Sequence, residues 1–253
     1  MSKQMENAKK LYIRGIQDGE IKEVDENYMG KTYTQHSTGV LDEKEGFAKF
    51  FEDFFKRYPK RKMNIVRAIE DGNFVFLQVH QYLNEGEAQW ITADIFKSDE
   101  NGRIIEHWDV IDEYPKEIGK VDPIYGEFTI TDLERTEENK KIIRRFLVDI
   151  LQNKDYDIFN EYVSNNLIQH NQKIEQGGTA YLKYLQENEV IYDFVFKVIG
   201  QGNYVVAYSK GIIGKQEYAV FDIYRLENRK IVEHWDNKEV MPDKYDLTNL
   251  GKF

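Results

Sequence analysis

Ile104-Ile105-Glu106-His107-Trp108-Asp109 returns near the other end of the chain as Ile231-Val232-Glu233-His234-Trp235-Asp236. With five His and three Trp in 253 residues, a shared Glu-His-Trp-Asp marks a repeat rather than chance. Four more pairs follow in the same order: Glu6-Asn7 with Glu138-Asn139, Gln35-His36 with Gln169-His170, Gly72-Asn73 with Gly202-Asn203, and Asp94-Ile95-Phe96 with Asp222-Ile223-Tyr224. The offset drifts slowly along the chain, as it does when the loops of a duplicated domain lengthen and shorten. A period this long is far above that of a solenoid, so each copy should fold around its own core.

Working outward from the motif, Asn101-Gly102 is a hairpin turn signal, and the strands it joins read as Ile91 to Lys97 and Arg103 to Ile111. Phe74 to Tyr82 alternates in polarity as a strand does, and Glu85-Gly86-Glu87 offers its turn. The second copy repeats these strands as Tyr204 to Gly211, Glu217 to Arg225 and Lys230 to Val240. Helical patterns precede the strands. Ile142, Ile143, Phe146, Leu147, Ile150 and Leu151 form an apolar stripe, with Asp132 or Thr136 as the expected cap. In the first copy Leu11, Tyr12 and Ile16 are less regular around Gly15. Second helices are expected over Gly46 to Arg57, ended by Pro59, and over Thr179 to Glu187. Helices followed by an antiparallel meander define an α+β fold: two tandem cone-shaped α+β barrel domains, each a curved, mostly antiparallel sheet wrapped on N-terminal helices. The expected boundaries are 1–118 for the first domain, 119–135 for a linker carrying Gly119, Pro123 and Gly126, and 136–253 for the second domain.

The order helix, Tyr-x-Gln-His, helix, strand with His80, strand with Asp94-Ile95-Phe96, then Gly-Arg-Ile-Ile-Glu-His-Trp-Asp resembles the SnoaL-like polyketide cyclases of the nuclear transport factor 2-like superfamily. The resemblance covers residues 5–115 and again 137–242. It implies an Asp on the penultimate strand as general acid/base in an intramolecular aldol condensation, assisted by a His on the preceding strand. Asp94 and His80 match those positions. Asp222 keeps its place in the second copy, but Lys210 or Tyr208 stands where His80 would, which weakens the case for chemistry there. The resemblance also puts His36 and His170 near the pockets; the bland alternative is a His that ties its segment to the sheet. The fold hosts many activities and some proteins with none.

Read as chemistry, a carboxylate in a pocket rimmed by Phe76, Trp90 and Phe96 loses solvation, and its pKa rises toward a useful range for proton transfer. The competing reading is a buried Asp94 satisfied by a backbone amide or by Arg103. With Asn101-Gly102 as the turn, Asp94 shares a face with His107 and Asp109, while the shorter loop of the second copy needs a bulge to keep the same parity for Asp222, His234 and Asp236. The alternative puts Trp108 and Trp235 in the pockets and turns the carboxylates out. The run Phe47, Phe50, Phe51, Phe54, Phe55 reads as core.

The bulk numbers exclude several classes. A formal charge of −10 opposes non-specific binding to nucleic acid and to anionic membranes. Cysteine is absent, so thiol catalysis and disulfides are out. No His-x-His or His-Glu-x-x-His spacing points to a metal, and no phosphate loop, dinucleotide fingerprint or Gly-x-Ser-x-Gly elbow occurs, so no cofactor is expected. The polar N-terminus and the lack of a long apolar run point to the cytoplasm. The expectation is a cofactor-independent enzyme performing aldol cyclisation or isomerisation on a small apolar carbonyl compound. The alternative is a non-catalytic binding protein whose second domain is a structural pseudo-dimer partner. A homo-oligomer fits either reading.

Overall fold

The computed structural model describes residues 1–244 and 246–253. The chain divides into two units, one of Met1–Tyr114 with Pro242–Phe253 and one of Pro115–Met241. The first opens with α1 (Lys3–Lys10), which runs on as a wider π-helical turn over Leu11–Gln17, and α2 (Ile21–Asn27). Then come β1 (Met29–Gln35), α3 (Glu43–Arg57), β2 (Arg61–Asp71), β3 (Phe74–Leu83), β4 (Ala88–Ser98) and β5 (Ile104–Glu113). The second unit repeats this as α4 (Thr136–Phe146) with a π-helical continuation over Leu147–Gln152, α5 (Phe159–Tyr162), β6 (Val163–Gln169), α6 (Gly178–Glu187), β7 (Ile191–Gln201), β8 (Tyr204–Ile213), β9 (Gln216–Glu227) and β10 (Lys230–Val240).

Both sheets have the same order, β1-β5-β4-β3-β2 and β6-β10-β9-β8-β7. Three neighbouring pairs in each run antiparallel, and the edge strand that ends in the Gln-His pair is parallel to the last strand. Seven residues with little alternation do not announce a strand, yet pairing along β5 is what fixes Gln35 beside His107.

Each unit has its own apolar core between helices and sheet. Gly15 has a packing reason to lack a side chain, since a Cβ there would meet Val24 Cγ2 at 2.7 Å. α3 starts on Asp42, whose carboxylate accepts from the amides of Glu43 (2.9 Å) and Gln35 (2.7 Å), so one cap ties helix to edge strand. Neither Asp132 nor Thr136 caps α4 with its side chain; the Thr136 hydroxyl donates to Leu133 O at 2.7 Å, because a short 3₁₀ turn over Leu133–Arg135 precedes the helix. Among the described residues, no helix is long and apolar enough to cross a membrane.

The boundaries expected at 118, 136 and 253 miss two reassignments. Residues 115–135 belong wholly to the second unit, where Asp122 O meets His170 Nδ1 at 2.5 Å and Gln172 donates to Val121 O at 2.9 Å. Residues 242–253 leave the second unit and belong to the first. Asn249 Nδ2 donates there to Ser37 O (2.7 Å) and Val40 O (2.8 Å), and Gly251 O meets His36 Nδ1 at 2.6 Å. These backbone groups find their partners across long sequence separations, which local sequence patterns do not reveal.

Candidate active site

The β3–β4 hairpin decides which side chains meet. Leu77 lies opposite Asp94, Val79 opposite Thr92 and Gln81 opposite Trp90, so Asp94, Thr92, Trp90 and Phe96 share the face toward the helices. His80 lies opposite Ile91 and therefore points the other way, with Phe76. This corrects the expected pairing of His80 with Asp94, since one step of register moves a side chain to the opposite face. His80 Nε2 meets Gln89 Oε1 at 3.0 Å and its ring stacks on Tyr114 at 4.4 Å. Its counterpart in β8 is Lys210.

Across β4 and β5, Asp94 faces Asp109, Phe96 faces His107 and Ile95 faces Trp108. The Glu-His-Trp-Asp motif thus splits by alternation. His107 and Asp109 point inward, while Glu106 and Trp108 point to the far face, where His36 stacks on Trp108 at 5.0 Å and meets Glu106 at 3.3 Å. The second unit repeats this, with His170 stacked on Trp235 at 4.3 Å and 2.8 Å from Glu233. His36, Phe76 and Trp108 therefore lie on the far face of the sheet and do not line the space in front of Asp94, His170 and Trp235 hold the same place relative to Asp222, and the imidazoles of the Gln-His pairs are ties. The bulge required in the second copy is present at Val232, and a matching one lies at Ile105.

Asp94 Oδ1 is 2.9 Å from His107 Nε2, and Asp94 Oδ2 accepts from the Tyr12 hydroxyl at 2.7 Å. Tyr12 sits on the π-helical turn, and its hydroxyl is also 2.8 Å from Thr92 Oγ1. The tautomer of His107 follows from Gln35. Gln35 Oε1 accepts from the amides of His36 (3.0 Å) and Ser37 (3.1 Å), which can only donate, so the same oxygen must also accept from His107 Nδ1–H at 2.9 Å. Nε2 and Asp94 Oδ1 then share one proton between them. Burial pushes the Asp94 carboxyl up, and nearby Asp109 adds to this against the lowering effect of His107 and Tyr12.

Two carboxylates directly across a strand pair repel, and here each has its own partners. Ser37 Oγ donates to Asp109 Oδ2, and Lys252 Nζ donates to Asp109 O at 3.0 Å and Oδ1 at 3.3 Å. Burial alone would raise Asp109, but the charges of Lys252 and His107 and the bonds from Ser37 and Lys252 hold it below the usual carboxylate range. Donor atoms of Asp94, His107 and Asp109 lie within 4.8 Å of one another. They are engaged in the bonds just described, and the cation beside Asp109 is an ammonium.

Above this polar floor is a cavity of about 230 Å³. Leu11, Ile16, Val40, Trp90, Phe96 and the α3 phenylalanines wall it, while Arg57 and Ile111 also border it. Of the expected pocket residues, Asp94, Trp90, Phe96, His107 and Asp109 line it. Tyr12, Gln35, Ser37 and the face of α3 with Phe47, Phe50, Phe51 and Phe54 were not singled out as site residues. The i, i+4, i+7 spacing of Phe47, Phe51 and Phe54 does signal a buried face, but not that the face fronts a hollow.

The second unit keeps the pair, with Asp222 Oδ1 at 2.9 Å from His234 Nε2 and Gln169 beside Nδ1. The space in front is filled. Tyr181 and Tyr224 each stack on His234 at 5.0 Å, and the Tyr192 hydroxyl donates to Asp222 Oδ2 at 2.7 Å. All three tyrosines are buried.

A cone of helices on a curved sheet, with a carboxylate–imidazole pair on its floor, defines the class. Residues 10–107, within the first unit, match the family model of the SnoaL-like domain, and the second unit repeats the strand order of the first. No curated protein matches the chain. Similar solved structures include a protein described as a SnoaL-like polyketide cyclase from Jannaschia sp. CCS1 (18% identity, 44% of this chain and 85% of that one, TM-score 0.38). Others are a protein described as a ketosteroid isomerase from Kribbella flavida (13%, 43% and 83%, 0.38) and an epoxide hydrolase of the LEH-like kind from M. tuberculosis (21%, 44% and 87%, 0.36).

Proposed function

We propose that the first unit binds a small, largely apolar carbonyl compound and moves a proton on it, with Asp94 as acid/base and His107 sharing its proton. The observation that carries this is a fully buried carboxyl, held by His107 and Tyr12, on the floor of a hollow walled largely by aromatic and aliphatic side chains. The hollow is smaller than the roughly 300–1,000 Å³ of sites for drug-sized ligands, so the ligand is small. In the step itself, Asp94 takes a proton α to the carbonyl and the electron pair moves onto the carbonyl oxygen as an enolate. The proton then returns at the same or another carbon, or the enolate carbon attacks a second carbonyl of the same molecule. Tyr12 and His107, both bonded to Asp94 and lining the hollow, are the donors that would stabilise the oxygen that gains charge.

The test is hydrogen–deuterium exchange α to the carbonyl, followed by NMR over a panel of small ketones. Asp94→Asn is expected to slow exchange by about 10²–10⁴-fold. Equal exchange in Asp94→Asn and the unaltered chain would remove the proposal.

A second reading makes the pair a structural tie and the hollow a binding site without chemistry. The repetition of the pair as Asp222–His234 behind packed tyrosines favours it. Ligand binding that is unchanged by Asp94→Asn, with no exchange in either protein, would select it.

A further inference from the structure

In the second unit the inward Asp of the motif has a local cation. Asp236 Oδ2 accepts from Lys238 Nζ, two residues along the same strand, at 3.0 Å, and from Asn171 at 2.7 Å. The first unit has Ile111 at the position of Lys238, and Ile111 borders the cavity. A lysine there would put its charge at the hollow itself. Asp109 instead meets Lys252, brought by residues 242–253, and both side chains are buried, at 1% and 7% exposure. Lys252 does not border the main cavity; with His36, Gly39 and Leu247 it lines a separate small space of about 10 Å³. The same segment fastens the loop after β1 at Ser37 and Val40, two residues that wall the hollow.

We propose that Lys252 is a positioning residue of the first unit's site: its ammonium keeps Asp109 a carboxylate beneath the hollow, so the one mobile proton stays on the Asp94–His107 pair. A neutral Asp109 would be a second acid directly across the strand pair from Asp94, and it would compete for that proton. The groups facing Asp109 are Lys252 from the C-terminal segment, Ser37 after β1, Tyr33 on β1, His107 on β5, Asp94 on β4 and Tyr12 on the π-helical turn. Lys252 is the one lysine among them, and its placement keeps its ammonium out of the hollow. This rests on reading Asp94–His107 as the proton-carrying pair.

The experiment is a pH titration of the full chain, following the side-chain carboxyl carbons of Asp94 and Asp109 by ¹³C NMR, in the unaltered protein, Lys252→Met and Lys252→Arg. Lys252→Met is expected to move the Asp109 midpoint up by about one pH unit or more, a roughly tenfold gain in proton affinity. Lys252→Arg, which keeps the charge, is expected to restore the original midpoint. A folded Lys252→Met with Asp109 unmoved overturns the proposal, as does an Arg variant that behaves like Met. Should Lys252→Met not fold, Lys252→Met with Asp109→Asn decides: recovery of the fold supports a charge role, and continued failure shows a packing role and ends the proposal. The titration needs no substrate, so its result stands apart from the exchange assay on Asp94.

Discussion

Asp94–His107 and Asp222–His234 are held at the same 2.9 Å, on matching strands of matching sheets, and differ in what stands before them. In the first unit the helical wall is phenylalanine and stops short of the pair, leaving about 230 Å³. In the second, Tyr181 and Tyr224 close over the imidazole and Tyr192 ties the carboxylate. The clamp on the imidazole differs as well. Gln35 presents one oxygen to His107 Nδ1, whereas Gln169 sets both its nitrogen (3.0 Å) and its oxygen (3.2 Å) against His234 Nδ1. The pair alone is therefore not a function. A carboxylate–imidazole tie becomes a candidate for chemistry where the wall in front is withdrawn and the tautomer is fixed.

Substitutions made in parallel in the two units test that difference. The largest contrast is expected in the exchange assay: Asp94→Asn loses about 10²–10⁴-fold and Asp222→Asn loses nothing. A comparable loss from Asp222→Asn would dissolve the distinction. Next comes packing. Tyr181→Ala empties a filled core and should cost about 3–5 kcal/mol in thermal or denaturant unfolding, whereas Phe47→Ala enlarges an existing hollow and should cost less. Equal costs would mean that the first hollow is closed in solution.

The smallest effect is in stability against pH, and its sign separates the two aspartates of the first unit. Asp94 is raised by burial, so its contribution is fully present below the unfolded value of about 3.9 and is lost as pH rises through its folded value. Asp94→Asn should then stabilise the protein modestly at neutral pH, and the gain should vanish below about pH 4. Asp109 is depressed; its contribution is present above about pH 3.9 and is lost as pH falls through its folded value. Asp109→Asn should therefore destabilise at neutral pH. Melting curves across pH 3 to 8 check both directions, and a destabilised Asp94→Asn at neutral pH would contradict a strained carboxyl.

The repeat, the meander and the helix-before-sheet order were legible because they are carried by identities and periodicities that survive in one dimension. Two tandem α+β cones follow from Glu-His-Trp-Asp and its flanking pairs. The partner of Asp94 was not legible in the same way. His80 and His107 both lie within reach in sequence terms, and the choice rests on the register of the Asn84–Gly86 tip, which sets the parity of every pair in the β3–β4 hairpin. Asp109 falls on the face of Asp94 as the Asn101-Gly102 reading expected, but by another route: Ser98 pairs with Ile104, and the bulge at Ile105 restores the parity. Tyr12 hides in an irregular helix, since a π-helical turn breaks the period by which helical faces are read. Lys252 carries no local signal at all, because its meaning comes from a contact 143 residues away.

That long contact has a consequence for the order of assembly. Strand β5 leaves the ribosome well before residues 249–252 do, and at about 5–20 residues per second the wait is roughly 7–30 s. During that interval Asp109 has no ammonium beside it, and the loop after β1 lacks its fastening. A nascent first cone is thus expected to be loose at its floor until the second has been made, and translation stalled within β10 would leave it so.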